Sequence, residues 1–196
     1  MTVQANQNRG FTLLELMVVI FIIGLMVGVV GLNVAQFDAA GELQDFGEDT
    51  YAQLSFGTDQ ALFGGEHIGL VPEPLNENEA DLNWRLGWHR WRDGQWQPIS
   101  EIPAIEPPSF VDMTIQIDEE PVDLWQWLEY EDPLPVIIFY GGGEALAATL
   151  IFELDAQAAR EVTDFESRSI HMDINELGYV VWRERSEQDE RAAGLR

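Results

Sequence analysis

The sequence contains no cysteine, no lysine and no proline before Pro72. The absence of cysteine excludes disulfides and thiol chemistry; an oxidising compartment permits disulfides but does not require them. The ten basic residues are all arginines and stand against 35 acidic residues, which gives a formal net charge of -25. Because phosphate contacts need a basic face, this charge argues against nucleic-acid binding and against adhesion to anionic lipid. The acid excess fits solubility, repulsion of wrong partners, or a partner that carries a basic patch.

Charge is almost absent from one long stretch, because Glu15 is the only ionisable residue between residues 11 and 32. A run of this length fits a membrane-spanning helix, which needs about 20 mostly apolar residues. A carboxylate within such a helix costs roughly 2.5–3.5 kcal/mol at the helix centre on insertion scales, so we expect it to be functional and to have a partner. The run exceeds the apolar region of a secretory signal and lacks a small-residue cleavage site at its end.

The residues that open this run, Arg9-Gly10-Phe11-Thr12-Leu13-Leu14-Glu15, resemble the class III signal of type IV pilin-like proteins, which include type IV prepilins and type II secretion pseudopilins. The resemblance implies that a prepilin peptidase/methyltransferase cuts on the cytoplasmic side between Gly10 and Phe11 and N-methylates Phe11. It also implies that Glu15 pairs with the N-terminal ammonium of a neighbouring subunit during assembly. Opposite charges attract more strongly in a low-dielectric helix bundle than in water, which fits such a pair.

The charges that flank the apolar run predict its orientation. Arg9 precedes the run. After the run, every charged residue before Arg85 is an aspartate or a glutamate. The positive-inside rule then places the N-terminus in the cytoplasm and the bulk of the chain outside. For a pilin-like protein, this predicts a single-pass inner-membrane protein with a periplasmic C-terminal domain, which is later assembled into a periplasmic filament.

The organisation predicted from the pattern is one long helix followed by short strands. Residues 1–10 are the leader, 11–32 the transmembrane half of the helix and 33–63 its amphipathic half, with Gly41 and Gly47 as candidate points of bending or melting. Gly64-Gly65 supplies the helix stop. We expect a β domain over 64–184 and a flexible tail over 185–196. The fold class is α+β: a pilin-like helix packed on an antiparallel β-sheet.

Period-two alternation predicts the strands of that sheet. Asp93-Gly94 predicts a tight hairpin turn, Gly141-Gly142-Gly143 a flexible break, and residues 124–130 are ambiguous between a strand and a short helix. Proline- and acid-rich loops are expected over 72–80 and 100–109. The predicted strands are 67–71, 83–91, 95–99, 110–117, 136–140, 149–154, 169–174 and 179–183.

Two further stretches are similar to the minor pseudopilin H of type II secretion (the GspH family). They are Gly-Gly-Glu-His-Ile-Gly-Leu at 64–70 and the tryptophan-rich Leu-Gly-Trp-His-Arg-Trp-Arg-Asp-Gly-Gln-Trp-Gln-Pro at 86–98. The resemblance implies a low-abundance structural subunit that links the K–I–J tip complex to the major G pseudopilin and supports export of folded proteins across the outer membrane. Its partners would be these I, J, K and G pseudopilins, the peptidase and the inner membrane, with no nucleic acid.

No catalytic, cofactor-binding or metal site is predicted, and the protein is not expected to be an enzyme. His67, His89 and His171 are not in metal-ligand spacing. The acidic groups at 118–120 and at 129, 131 and 132 have oxygens suited to calcium, but solvated loops are favoured. The tryptophans fit a core or subunit interface better than a stacking platform for sugar or peptide; they are Trp84, Trp88, Trp91, Trp96, Trp125 and Trp127.

Two alternatives remain open from the sequence. A minor pilin of a type IV pilus or DNA-uptake machine, of the FimT/FimU kind, would share the signal and the general fold, although a DNA-binding version would need a cluster of basic residues. A membrane-anchored sensor or binding module would keep its leader uncut and use the tryptophan hairpin for a ligand.

Overall fold

A computed structural model describes residues 13–32, 38–75, 83–130, 132 and 134–193, with the side chains of 24–32 and 128 left out of the description. The chain divides into two compact units, Met1–Asp38 and Ala39–Arg196. Each unit is built on its own helix, and the β-strands belong to the second.

The first unit contains helix α1, Leu13–Leu32, with Glu15 in its first turn. The large apolar side chains described on α1, from Leu13 to Ile23, are exposed on all faces of this unit. Among the described residues, none of the helices combines the length and the apolar character that crossing a membrane demands. The predicted leader, residues 1–10, and residues 11 and 12 that precede α1 lie outside the described residues. They include the predicted processing residues Gly10 and Phe11.

The second unit begins with helix α2, Ala39–Gly64. The sequence predicted one helix across 11–63, whereas the described residues form two helices, α1 and α2, and Asp38 directly before α2 is not helical. Residues 33–37 lie outside the described residues. Aspartate is a favoured residue at the position before a helix, because its side chain can accept hydrogen bonds from free backbone N–H groups. The predicted stop is confirmed: α2 ends at Gly64, and Gly65 adopts a φ of 62° that favours glycine.

One face of α2 is buried against the strands, as the helical spacing of apolar residues predicted. The buried positions are Ala39, Leu43, Gly47, Thr50, Leu54, Gly57 and Ala61. Helix α2 continues through Gly41 and Gly47, so neither glycine melts the helix, which was one of the two effects predicted for them. Gly47 instead lets the helix approach the sheet, since a Cβ there would come within 2.5 Å of Ile170 and 2.9 Å of Trp182.

The strands form two antiparallel sheets, where the sequence predicted one. The first has the order β3-β2-β1-β6 and the second the order β5-β4-β7-β8-β9. The strands of the first sheet are β1 Ile68–Pro74, β2 Trp84–Arg92, β3 Gln95–Pro98 and β6 Ile137–Phe139. Those of the second are β4 Val111–Ile117, β5 Glu120–Pro121, β7 Ala148–Leu154, β8 Ser169–Ile174 and β9 Val180–Trp182.

The two sheets and α2 enclose a common hydrophobic core. Trp88 of β2 stacks on Phe139 of β6 at 6.1 Å, and Phe46 of α2 meets Phe152 of β7 edge to face at 4.9 Å. Burial of large apolar side chains of this kind stabilises a fold by about 1.5–3 kcal/mol for each side chain. The predicted α+β fold class is confirmed, since α2 packs on strands of both antiparallel sheets.

Local details follow the turn chemistry. The predicted hairpin turn is confirmed, with Asp93 at φ 55° and Gly94 at φ 80° between β2 and β3. The ambiguous segment is a 3₁₀ helix, Leu124–Glu129.

β1 runs on to Pro74, into the segment predicted as a loop. The two prolines are accommodated because β6 pairs only with residues 68–70, so β1 is an edge beyond them.

The C-terminal segment differs from the prediction. Instead of a flexible tail over 185–196, the chain forms helix α3, Arg183–Ala192. Two further 3₁₀ helices, Ala158–Arg160 and Glu166–Arg168, lie between β7 and β8. The predicted flexible break at residues 141–143 is an ordered turn, in which Gly143 N–H donates to the Tyr140 carbonyl at 2.9 Å.

Candidate assembly site

Glu15 is the predicted assembly residue that the structure describes. It lies in the first turn of α1 and is exposed, with the apolar side chains of Leu13, Leu14 and Leu16 exposed around it. A carboxylate in the first helical turn interacts favourably with the positive end of the helix dipole. The residues predicted to react with the peptidase, Gly10 and Phe11, fall outside the described residues.

Helix α2 is fixed to the first sheet by a glycine–tryptophan contact. A Cβ at Gly57 would lie 2.4 Å from the Trp88 ring, so only glycine lets the helix backbone rest on the indole. The same indole donates its Nε1–H to Gln53 Oε1 at 3.4 Å. Trp88 is only 2% exposed, which confirms the prediction that this tryptophan fills the core.

A surface groove lies where α2 ends. We call it the α2-end groove; its volume is about 510 Å³. Its walls come from the last turns of α2, the 142–144 turn and the β8–β9 turn. They include Tyr51, Thr58, Leu62, Gly143, Leu177 and Tyr179. The sequence analysis missed this groove, although Leu177 and Tyr179 flank a turn glycine, and large apolar residues at a turn are a signal of surface contact.

The tryptophans divide between core and surface. Trp91 and Trp96 face each other across the β2–β3 hairpin at 5.4 Å, and Trp84 meets Trp125 edge to face at 6.3 Å. Trp91 and Trp125 remain exposed, so these pairs are surface features, unlike Trp88. Exposed aromatic side chains of this kind are enriched in protein interfaces.

The histidines do not form a site in the described part of the chain. His67 is exposed before β1 and its Nδ1 accepts a hydrogen bond from Gly141 N–H at 3.2 Å. His89 is buried in β2, and His171 of β8 pairs with Glu184 at 2.5 Å. No group of three or more potential metal ligands is found among the described residues. Asp118 and Glu119, considered for calcium, form the left-handed turn between β4 and β5.

Ion pairs attach α3 to the second sheet. Arg183 donates two hydrogen bonds to Asp173 of β8, at 2.9 and 2.6 Å, and Thr149 donates a third to the same carboxylate at 2.8 Å. Burial raises the pKa of Asp173, but the bonds from Arg183 and Thr149 outweigh burial and leave the pKa below its ordinary value. In the neighbouring contact, Glu184 accepts from the His171 backbone N–H at 3.1 Å.

A second ion pair tethers the first sheet to the end of α2. Arg92 of β2 pairs with Glu66, which follows the helix. The hydrogen bond from Arg92 lowers the pKa of Glu66 below its ordinary value. Because the pair is at the surface, it contributes little to the stability of the fold.

Comparison with known proteins was made for both sequence and structure. Residues 5–31 match the family described as the prokaryotic N-terminal methylation motif. The type II secretion system protein H of Pseudomonas aeruginosa (strain PAO1) is 27% identical over 117 residues, which cover 60% of this chain and 63% of that protein. The protein of the same description from Escherichia coli K12 is 28% identical over 122 residues, covering 59% and 66%. The matched region is therefore less than two thirds of each relative's length.

The fold was compared with solved structures. The minor pseudopilin EPSH from the type II secretion system of Vibrio cholerae superposes with a TM-score of 0.52 over 72% of this chain and 93% of that chain, at 15% sequence identity. At this identity the likeness concerns the fold, which is pilin-like. Together with the methylation motif and the two H proteins, it confirms the resemblance to minor pseudopilin H that the sequence indicated.

Proposed function

We propose that this chain, which resembles type II secretion protein H in sequence and a minor pseudopilin in fold, is a structural minor pseudopilin of the type II secretion pseudopilus. The observation that carries the proposal is the sequence similarity to two type II secretion H proteins from different bacteria. In this role the protein joins subunits at the pseudopilus tip, of the I, J and K types, to the major G type. It supports export of folded proteins through packing and performs no catalysis.

The N-terminal segment supplies the processing chemistry of the proposal. A prepilin peptidase/methyltransferase cuts between Gly10 and Phe11 and methylates the new amine of Phe11. The match to the methylation motif over residues 5–31 supports this step. Before assembly the apolar residues 11–32 anchor the chain in the inner membrane with the N-terminus in the cytoplasm and the β domain in the periplasm, as the flanking charges predict.

Assembly then uses α1 and Glu15. The apolar side chains of α1, exposed in its own unit, are covered by the helices of neighbouring subunits. Glu15 pairs with the Phe11 ammonium of a neighbour in that low-dielectric bundle. An unpaired carboxylate there would be strongly penalised, so the pair selects the correct axial register between subunits.

The test uses the gene in its own host. A deletion strain is complemented with wild-type protein or with Glu15→Ala, and two quantities are measured: exoprotein in the culture supernatant and co-purification with the major pseudopilin. We expect normal cleavage after Gly10 in both strains, but at least tenfold less co-purification and secretion for Glu15→Ala. Cleavage is unaffected because, in this proposal, the Glu15 charge acts only during assembly, which follows processing.

The matched control is Leu14→Ala, which removes apolar surface beside Glu15 but no charge. It is expected to retain most of the wild-type co-purification. Undiminished secretion by the deletion strain, together with lost twitching or DNA uptake, would contradict the proposal and favour a minor pilin. Wild-type co-purification by Glu15→Ala would refute the role given to that carboxylate.

A further inference from the structure

The α2-end groove is held open by contacts between its own walls. Thr58 of α2 donates its hydroxyl hydrogen to the Gly178 carbonyl at 3.0 Å. The β8–β9 turn is bound to the neighbouring turn, because the Ala145 N–H donates to the Glu176 carbonyl at 3.1 Å. Gly178 packs on the Gly143 carbonyl so closely that a Cβ would approach it to 2.5 Å. A groove built in this way is formed before any partner arrives, which reduces the entropy cost of binding.

The groove presents apolar side chains to solvent. Leu177 is 68% exposed and Tyr179 is 66% exposed, although both lie on a turn tied to the helix. Leu62 on the facing side of the groove is also exposed. Large apolar side chains held rigidly at the edge of a concave surface are typical anchors of protein interfaces.

The charge around the groove has one sign. Asp59 and Glu144 line it, and Glu176 lies beside Leu177; all three are exposed. None of the three carboxylates has an ion-pair partner among the residues that the structure describes. Among the described residues, those that line the groove include no arginine and no histidine. An occupant that brings positive charge would relieve the repulsion among these carboxylates.

From this geometry we propose that the α2-end groove binds a cationic segment of another protein, one that presents an aromatic or branched aliphatic side chain between lysines or arginines. The apolar side chain enters between Leu62, Leu177 and Tyr179, and its flanking cations pair with the three carboxylates. A second copy of this chain is disfavoured as occupant, because two copies with a formal net charge of -25 repel each other. The proposal rests on the groove and its charges, so it is tested separately from secretion.

The test measures binding of a fluorescein-labelled peptide to the full chain in a non-ionic detergent by fluorescence anisotropy. The probe is Lys-Lys-Trp-Leu-Lys-Lys. The comparison peptides replace Trp-Leu by Ser-Ser or the four lysines by glutamates. We expect the probe to bind at least tenfold more tightly than either comparison peptide, and its affinity to fall as salt is raised, because exposed charges are screened.

Matched variants locate the binding. The triple variant Asp59→Asn, Glu144→Gln, Glu176→Gln should weaken the probe at least fivefold. The control triple Asp112→Asn, Glu119→Gln, Glu129→Gln removes the same charge elsewhere and should change the affinity less than twofold. Likewise, Leu177→Ser with Tyr179→Ser should weaken binding at least fivefold, whereas Leu134→Ser with Tyr130→Ser, outside the groove, should not. Far-UV circular dichroism verifies that every variant is folded.

Three results would overturn the proposal. They are equal binding of the probe and the glutamate peptide, equal loss in the two triple variants, and no measurable binding by the folded wild-type chain. None of these bears on secretion or on processing at Gly10. Results that refute binding at the groove can therefore be distinguished from results that refute the proposed role as a pseudopilin.

Discussion

At the scale of single residues, two glycines of α2 determine how closely the helix packs on the sheets. Gly57 rests on the Trp88 ring and Gly47 on Ile170 and Trp182. Glycine in a helix interior costs about 1 kcal/mol relative to alanine. Here that cost is offset, because the backbone reaches two large rings that any side chain would hold away. In both contacts a tryptophan ring from the sheet occupies the space that a side chain on the helix would otherwise fill.

We predict that Gly57→Ala destabilises the fold by about 1–3 kcal/mol, despite the higher helix propensity of alanine, because the new Cβ overpacks against Trp88. The measurement is urea unfolding of the full chain in detergent, followed by far-UV circular dichroism. The control is Gly64→Ala on the same helix, where a Cβ meets nothing within 4 Å. A stabilised Gly57→Ala would contradict the packing described.

The carboxylate of Asp173 gives a prediction for pH. Its pKa in the folded protein lies below the ordinary value of 3.8. The folded state therefore gains stability from this group above about pH 4, and this gain is lost as pH falls through the lower folded pKa. Since the Arg183–Asp173 pair is partly exposed, we expect a contribution of about 0.5–1 kcal/mol.

The test compares wild type with Asp173→Asn in urea at pH 7 and at progressively more acidic pH. The variant should be less stable at pH 7, and the difference should shrink once the wild-type carboxylate is protonated. Asp112→Asn on β4, an exposed aspartate that forms no ion pair with the described residues, serves as the control and should show little difference at either pH. A gap that stays constant into acid would show that Asp173 acts through shape and not through charge.

At the scale of secondary-structure elements, α3 is a short polar helix attached mainly by its first residues. Arg183 binds Asp173 and Glu184 binds His171, both on β8, whereas the helix has no buried residue of its own. An exposed ion pair at 3.6 Å between Arg191 and Glu166 adds a weaker contact in its last turn. Because isolated helices of this length are marginal in water, we expect the order of α3 to depend chiefly on the contacts with β8.

We predict that Arg183→Ala combined with Glu184→Ala accelerates amide hydrogen exchange throughout α3. Loss of one or two kcal/mol corresponds to roughly a 5–30-fold change. The amides of β7, in the middle of the second sheet, should keep their protection. Gln188→Ala, an exposed position in the same helix, should leave exchange unchanged. Equal protection in the double variant would mean that other contacts hold α3.

Most of the strands and turns were predictable from the sequence, because strand alternation and turn residues are local signals. The Asp93-Gly94 hairpin and the strand from 169 to 174 are two cases. Three features were not local. The split into two sheets depends on pairing between distant strands, and α3 depends on β8. The role of Gly57 is visible only when Trp88 is placed on it.

Of the two candidate functional features, one was predictable from the sequence and the other was not. A partner for Glu15 was predicted from its chemistry, because a carboxylate within an apolar run is costly without one, whereas its role in assembly came from the resemblance to the pilin-like signal. The α2-end groove was not, because its three walls come from parts of the chain that are distant in sequence and meet only in the fold.

At the scale of the whole molecule, the two compact units present different surfaces. The first unit exposes the apolar side chains described from Leu13 to Ile23, and the second is an acidic domain with a preformed groove. Apolar packing supplies area without much selectivity, whereas charge complementarity rejects wrong partners. A structural subunit that must join different neighbours requires both. In the account proposed here, α1 provides attachment to the filament and the second unit provides selectivity.

The central claim is that the chain is processed and assembled as a pilin-like subunit. Its most direct test is the mass of the mature N-terminus, measured on protein taken from its own membrane. The account predicts a chain that begins with N-methylated Phe11, and an unprocessed chain when Gly10 is replaced by a bulkier residue. A wild-type chain that still begins at Met1 would contradict the account, because Glu15 would then have no neighbouring Phe11 ammonium to pair with.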